Sequence, residues 1–400
     1  MDKQQQILSS LKQYPEMPDD DRRDIRDKVL NTIQGLGIKG NIGFDIDGYK
    51  ENIISYEVRH AIPEDFESRV KDALSEVFNR MDIDVAVTDE SNYVQEYEDH
   101  ILKREYDERY KAIKVWVPKV IPETLGLREV MEEGEYTHNS HILPLPIGSH
   151  IFGEPLVVDL QNRPHILVGG ATGMGKTTVL HNFIISLLNT KAPQELELLL
   201  VNGKDSAFAN YSPLSGLYLL PIDDVSNPIV DKDEAMVALH SLNAELDKRY
   251  NLLRQSSVLN ITEYNKETSS PLPYIVLVID DYDKIMESYG TEFELSVARL
   301  AQLGMAAGIH LIMATGKITD DVITPRLKAN FPSRLSFKVN SPAESEILLD
   351  EAGAECLGDE GELLFPYYGT TYDLQAPLVT PDEVKSIAEI VKEYYSCINI

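Results

Sequence analysis

The sequence predicts an α/β protein: a mostly parallel sheet covered by helices, preceded by a small α+β domain and a short helical N-terminus. Three observations carry this. From residue 150 onward, short and nearly continuous apolar runs alternate with amphipathic helical runs, the rhythm of a parallel sheet buried on both faces. The first of these strand-to-helix junctions carries a glycine-rich run ending in Lys176-Thr177. Hydrophobic residues are 43% and charged residues 26% of 400, which is enough apolar surface for two or three cores.

Residues 1–39 read as short helices broken at Pro15 and Pro18, with Asp19-Asp20-Asp21 suited to cap the second. Residues 40–145 read as the small α+β domain. It opens with a hairpin around Asp47-Gly48, followed by a helix over 63–81 in which Phe66, Val70, Leu74, Val77 and Met81 recur at helical spacing. A strand is expected at Ile83–Val87 and another over Ile113–Val120, with 91–112 between them as an exposed helical insertion rich in Tyr, Glu and Arg. Residues 146–400 read as the α/β domain. Its strands are expected at His165–Val168, Leu196–Val201, Ile275–Ile279 and Ile309–Ala314, with helices starting at 175 and near 233–254 and 291–307. Further short elements reach Leu363-Leu364-Phe365.

The formal net charge is −29, split as −12 over residues 1–150 and −17 over 151–400, so no acidic tail accounts for it. Such a surface excludes a passive nucleic-acid coat or a basic membrane-surface protein, but not nucleic acid held at a small local basic site. Two cysteines, Cys356 and Cys397, allow neither a disulfide framework nor a four-Cys zinc site, and read as reduced, buried thiols. No run of about 18 apolar residues and no signal-peptide core is present, so the chain is expected to be cytoplasmic, with no membrane segment of its own.

Gly170-Ala171-Thr172-Gly173-Met174-Gly175-Lys176-Thr177 matches the P-loop pattern, with an apolar strand before it and Thr178-Val179-Leu180 opening a helix after it. Backbone N–H groups of such a loop curl around phosphates, Lys176 supplies positive charge to them, and Thr177 can ligate Mg²⁺. The bound nucleotide is expected to be ATP, with 170–178 as its cradle. About 100 residues on, Pro273–Asp281 is an apolar strand ending in two carboxylates, the Walker B arrangement. Asp280 is assigned to the metal and Asp281 to the attacking water. Arg334 is a candidate arginine finger for a neighbouring subunit's γ-phosphate, an ordinary surface pair being the competing reading. Lys204 reads equally as a nucleotide neighbour or a surface turn, and His310 as a packed core residue.

With these motifs in place the chain resembles the FtsK/SpoIIIE family of double-stranded DNA translocases, within the HerA–FtsK group. The resemblance rests on Phe152-Gly153-Glu154-Pro155 leading to the P-loop, on Pro273–Asp281, Ala298-Arg299-Leu300-Ala301-Gln302, Ala306–Leu311, Lys328–Arg334 and Leu349–Glu355. It implies a RecA-like motor domain, a homo-oligomeric ring of six, and ATP-driven movement of duplex DNA. Within it, 40–145 resembles the smaller of the family's two motor subdomains. Three departures stand out: Asp281 where the family usually has Glu, Gly316-Lys317 where Gln-Arg follows Ala-Thr, and Leu303 and Met305 where basic residues are common. The chain has no room for the family's winged-helix domain, so a stand-alone motor is expected. A secretion- or complex-remodelling ATPase of the same fold, or a nucleotide-binding switch with weak hydrolysis, are the alternatives.

Overall fold

The computed structural model describes residues 2–13, 19–36, 40–47, 51–58, 66–78, 84–88, 92–98, 101–107, 111–118, 124–132, 136, 141–150, 155–204, 206–359 and 361–398. They fall into two compact units. One comprises Met1–Gln13, Leu125–His150 and Pro155–Ile400, the other Tyr14–Thr124 and Ile151–Glu154. Pro15, Pro18, Gly48, Met81, Ile83 and the 152–154 stretch lie outside the described residues.

The smaller unit contains helices α2 (Asp19–Gly35) and α3 (Phe66–Phe78), which pack together and bury Val29, Ile33, Val70 and Leu74. Its strands β1 (Gly40–Asp47), β2 (Glu51–Val58), β3 (Asp84–Thr88) and β6 (Lys111–Pro118) form an antiparallel sheet in the order β1-β2-β6-β3. Among the described residues of the expected helical insertion none is helical. They form instead two paired antiparallel strands, β4 (Asn92–Glu98) and β5 (Ile101–Asp107). The physical reason lies in the register, which sets Tyr93 opposite Tyr106 and Tyr97 opposite Leu102. Cross-strand aromatic and apolar pairs of this kind favour a ribbon over a helix, whatever the density of Glu and Arg between them.

The larger unit is built on one nine-stranded sheet in the order β10-β11-β12-β9-β13-β14-β15-β7-β8. Five neighbours run parallel: β9 (Ile166–Gly169), β10 (Leu196–Asn202), β11 (Tyr274–Asp280), β12 (Ile309–Thr315) and β13 (Ser333–Phe337). Four antiparallel strands extend it: β7 (Pro144–His150), β8 (Pro155–Asp159), β14 (Glu362–Tyr367) and β15 (Thr370–Gln375). Successive side chains of a strand point to opposite faces, and the core divides accordingly. Ile166, Val168, Leu198, Leu200, Val276 and Val278 join one cluster. Leu167, Leu199, Val201, Ile275, Leu277 and Ile279 join the other.

The helices of this unit are α1 (Lys3–Ser10), α4 (Leu127–Glu132), α5 (Lys176–Thr190), α6 (Lys232–Gln255), α7 (Ile261–Glu267), α8 (Asp283–Tyr289), α9 (Thr291–Ala307), α10 (Pro325–Asn330), α11 (Pro342–Leu349) and α12 (Pro381–Cys397). Helices α6 and α9 pack together in the second cluster, and α5 and α12 contribute to the first. Among the described residues no helix is long and apolar enough to cross a membrane. Cys356 and Cys397 are exposed rather than buried.

The units divide the chain differently from the boundaries read at 39 and 145. Ile7 and Leu11 of the first segment, and Leu127, Met131, Leu143 and Leu145 before residue 146, belong to the core of the larger unit. Helix α1 packs on α12 and α5. The Lys3 ammonium donates to the carbonyl of Lys191 and to Tyr218 Oη at 3.2 Å, and lies over the rings of Tyr218 and Tyr395 at 5.8 and 5.5 Å. Burial lowers the Lys3 pKa to about 8, against the pull of Glu195. Ile7 is fully buried, so Ile7→Ala is expected to cost about 2–5 kcal/mol and lower the melting temperature of this unit. An unchanged melting curve would show that α1 does not dock there.

Candidate functional site

The ends of β9, β11 and β12 come level at one edge of the sheet: Thr315 pairs with Gly169, and Asp280 ends β11 beside them. The P-loop leaves β9 at this edge and enters α5. Its path needs glycine at Gly170, where φ is +148° and a Cβ would sit 2.7 Å from Phe337 Cβ. Ala171 N–H donates to the Lys338 carbonyl at 2.8 Å, anchoring the loop to the segment after β13. Thr172 and Gly173 at the loop tip are exposed, while Met174, Gly175, Thr177 and Thr178 are half-buried.

Lys176 is buried, and its ammonium donates to the carbonyls of Gly170 at 2.9 Å and Ala171 at 3.0 Å. Burial lowers its pKa, while the charges of Asp280, Asp281 and Asp283 hold it up. A phosphate anion at the loop would reverse the lowering. Thr177 Oγ1 donates to Asp280 Oδ2 at 2.6 Å, so the sequence-predicted P-loop hydroxyl and Walker B carboxylate meet directly. Two hard oxygens this close, beside a loop of phosphate-directed N–H groups, suit Mg²⁺ bound together with a nucleotide.

Asp280 is 1% exposed. Burial pushes its carboxyl up to about 6, with Asp281 adding to the rise and the Thr177 hydrogen bond opposing it. Asp281 N–H donates to Asp280 Oδ1 at 3.0 Å. Asp281 itself has a φ of +49°, a left-handed conformation that Asp tolerates better than most residues. Gly203 answers this turn: its N–H donates to the Asp280 carbonyl at 3.0 Å, and a Cβ there would lie 2.4 Å from the Asp281 carbonyl oxygen. Lys204 is exposed beyond it, and its charge lowers the Lys176 pKa.

Within its own chain Arg334 is held away from this site. Its Nη1 donates to the Leu348 carbonyl at 3.1 Å and its Nη2 lies 2.5 Å from Asp350 Oδ2, which shares its other oxygen with Lys328. In β13 it pairs with Leu167, two residues before the end of β9. His310 is fully buried as read, and its pKa is held well below normal by burial. Two residues went unread: Asp283, which opens α8, and Thr315, which ends β12. Both are buried, and Thr315 Oγ1 donates to Asp283 Oδ1 at 3.0 Å. The signal was available in Asp280-Asp281-Tyr282-Asp283, a third carboxylate two residues past the pair.

The FtsK/SpoIIIE family profile matches residues 126–328. The chain is 36% identical over 287 residues to the DNA translocase FtsK of Helicobacter pylori strain J99, covering 70% of this chain and 33% of that protein. It is 37% identical over 285 residues to the DNA translocase FtsK of Chlorobaculum tepidum, covering 70% and 35%. It thus spans about a third of the length of these curated relatives. Among solved structures, the pCW3 conjugation coupling protein TcpA, in a monomer form with ATPγS, superposes with a TM-score of 0.60 over 92% of this chain and 99% of that one, at 22% identity. That likeness is one of fold.

The raised Asp280 pKa sets a pH dependence. The folded state binds this proton more tightly than the unfolded chain, so stability is highest where the carboxyl is protonated and falls as pH rises from about 4 to about 6. In chelator-containing buffer, Asp280→Asn is expected to raise the melting temperature above pH 7, relieving a cost on the order of 2–3 kcal/mol. At pH 4 it should change little. Identical melting of variant and wild type from pH 4 to pH 8 would remove burial of this carboxylate as a cost.

Proposed function

The chain belongs to the FtsK/SpoIIIE family, and from that premise we propose that it is an ATP-hydrolysing motor that moves double-stranded DNA, working as a homo-oligomeric ring, a hexamer, in the cytoplasm. The observation that carries this reading is the 2.6 Å contact between Thr177 and Asp280, with Lys176 and Asp281 on either side. That set is what phosphoryl transfer needs: positioning of the phosphates and stabilisation of their charge.

The roles divide by chemistry. The N–H groups of Thr172, Gly173, Gly175 and Lys176 hold the phosphates of ATP at the start of α5, where the helix dipole favours an anion. Lys176 turns from the Gly170 and Ala171 carbonyls to the phosphates. Thr177 and Asp280 would hold Mg²⁺, whose charge offsets that of the phosphates when it is bound. Asp281 accepts a hydrogen bond from the attacking water and aligns it. Its side chain is one methylene shorter than glutamate, and a displacement of about 1 Å can cost on the order of 10²-fold in rate. Basal hydrolysis is therefore expected to be slow, and to rise when DNA and neighbouring subunits order the site.

The net charge of −29 favours a second reading, a remodelling ATPase acting on a protein partner, because six such chains around a duplex would repel it outside a small basic lining. An ATPase assay with and without linear duplex DNA, on material sized by sedimentation, separates the two. Duplex-stimulated turnover in a sedimenting ring supports the motor. Turnover indifferent to DNA supports the second reading, and none under any condition rejects both.

Two substitutions test the assigned roles. Lys176→Ala should abolish tight ATP binding, since the ammonium has no substitute in the loop; wild-type affinity in that variant would take the loop out of the mechanism. Asp281→Asn should bind ATP with near wild-type affinity while turnover falls at least 10²-fold. Retained turnover would remove Asp281 as the group that aligns water.

A further inference from the structure

Asp283 is 4% exposed and opens α8, yet its carboxylate does not cap that helix. It accepts the hydroxyl of Thr315 at 3.0 Å through Oδ1, and its Oδ2 lies 3.2 Å from the Lys284 ammonium. Thr315 is wholly buried and its oxygen in turn accepts the Lys317 N–H at 3.1 Å. One residue back, Tyr282 N–H donates to the Ala314 carbonyl at 3.1 Å. The segment carrying Asp280 and Asp281 is thus stapled twice to the end of β12, once by backbone and once by side chains.

The other side of that staple faces the P-loop. Thr315 stands opposite Gly169, the last residue before the loop. Gly316 follows, and a Cβ placed on it would lie 3.4 Å from Lys176 Nζ. The turn 315–317, whose shape is set by the Thr315 hydroxyl, is therefore the wall against which Lys176 rests. No side chain at 316 can reach the phosphates, so the geometry of this wall depends on the residues that hold it.

We propose that Asp283 is a positioning residue for ATP hydrolysis: through Thr315 it locks the 315–317 turn beside Lys176 to the 280–282 segment, so that both sides of the phosphate site move as one. A buried hydroxyl–carboxylate bond fixes direction as well as distance, and a neutral acceptor of the same shape preserves it. The inference rests on the hydrolytic reading above.

The test compares Asp283→Ala, Asp283→Asn, Thr315→Val and Thr315→Ser with wild type in duplex-stimulated turnover, affinity for a fluorescent ATP analogue, melting temperature, and hydrogen exchange with and without ATPγS. Asp283→Ala and Thr315→Val are expected to lower kcat about 10- to 100-fold, with affinity for the analogue within about 3-fold of wild type. The double variant should be no worse than either single one, as expected of residues acting as one unit. Asp283→Asn and Thr315→Ser should restore turnover to within about 3-fold. In exchange, ATPγS should protect 280–282 and 315–317 together in wild type, and only 280–282 in Asp283→Ala. A folded Asp283→Ala with wild-type kcat and joint protection overturns the inference. So does loss of turnover, affinity and stability together without rescue by Asn, which marks a group that serves only the fold. A wild-type protein that turns over no ATP sinks the hydrolytic reading alone, and the exchange arm then decides whether Asp283 couples the two segments.

Discussion

The parallel register of β9, β11 and β12 is the constraint on which the site depends. Because Thr315 sits opposite Gly169 and Asp280 ends the next strand along, three loops leave the sheet at one level. The P-loop, the carboxylate segment and the 315–317 turn then meet without any long side chain having to reach. Small residues close the gaps: Gly170 against Phe337, Gly203 against the Asp281 carbonyl, Gly316 against Lys176. A single β-carbon at either of the first two would push loop from loop, because the neighbouring atoms lie under 3 Å away and belong to packed elements.

Burial at this edge works on the charges in opposite directions. It destabilises both the Lys176 ammonium and the Asp280 carboxylate, and each is the other's partial remedy. Hydrogen bonds supply the rest: two carbonyls to the lysine, one hydroxyl and one N–H to the aspartate. Such a site is tense rather than relaxed. A phosphate at this edge would give Lys176 a stronger partner than two carbonyls, and a cation would do the same for Asp280.

Much of this was legible in the residues. The P-loop and the Asp280-Asp281 strand end were readable because their chemistry requires fixed spacing, and four of the five parallel strands because both faces are apolar; β13, with Ser333, Arg334 and Ser336 among its five residues, was not. What lacked a local signature was misread or passed over. Strands β4 and β5 carry cross-strand pairs that only register reveals. Strands β7 and β8 begin at prolines, and β15 is exposed or half-buried at all but one of its residues, so it shows no apolar run. The pairing of Asp283 with Thr315 spans 32 positions, and no pattern within one segment announces it. Departures at 281 and 316 were visible as letters, but the wall that Gly316 forms beside Lys176 was not.

The path of the chain between its two units has a consequence for how the molecule could be taken apart. The polypeptide begins in the larger unit with α1, leaves at Gln13, and returns at Leu125. Residues 14–124 are therefore a parenthesis in the sequence of that unit, with α1 held outside it by Ile7, Leu11 and the aromatic seat of Lys3. A cut anywhere inside the parenthesis would produce two fragments that each contribute to one core, so the break would not by itself release α1. Freeing α1 after such a cut would require undocking it from α12 and α5 as well as breaking the backbone.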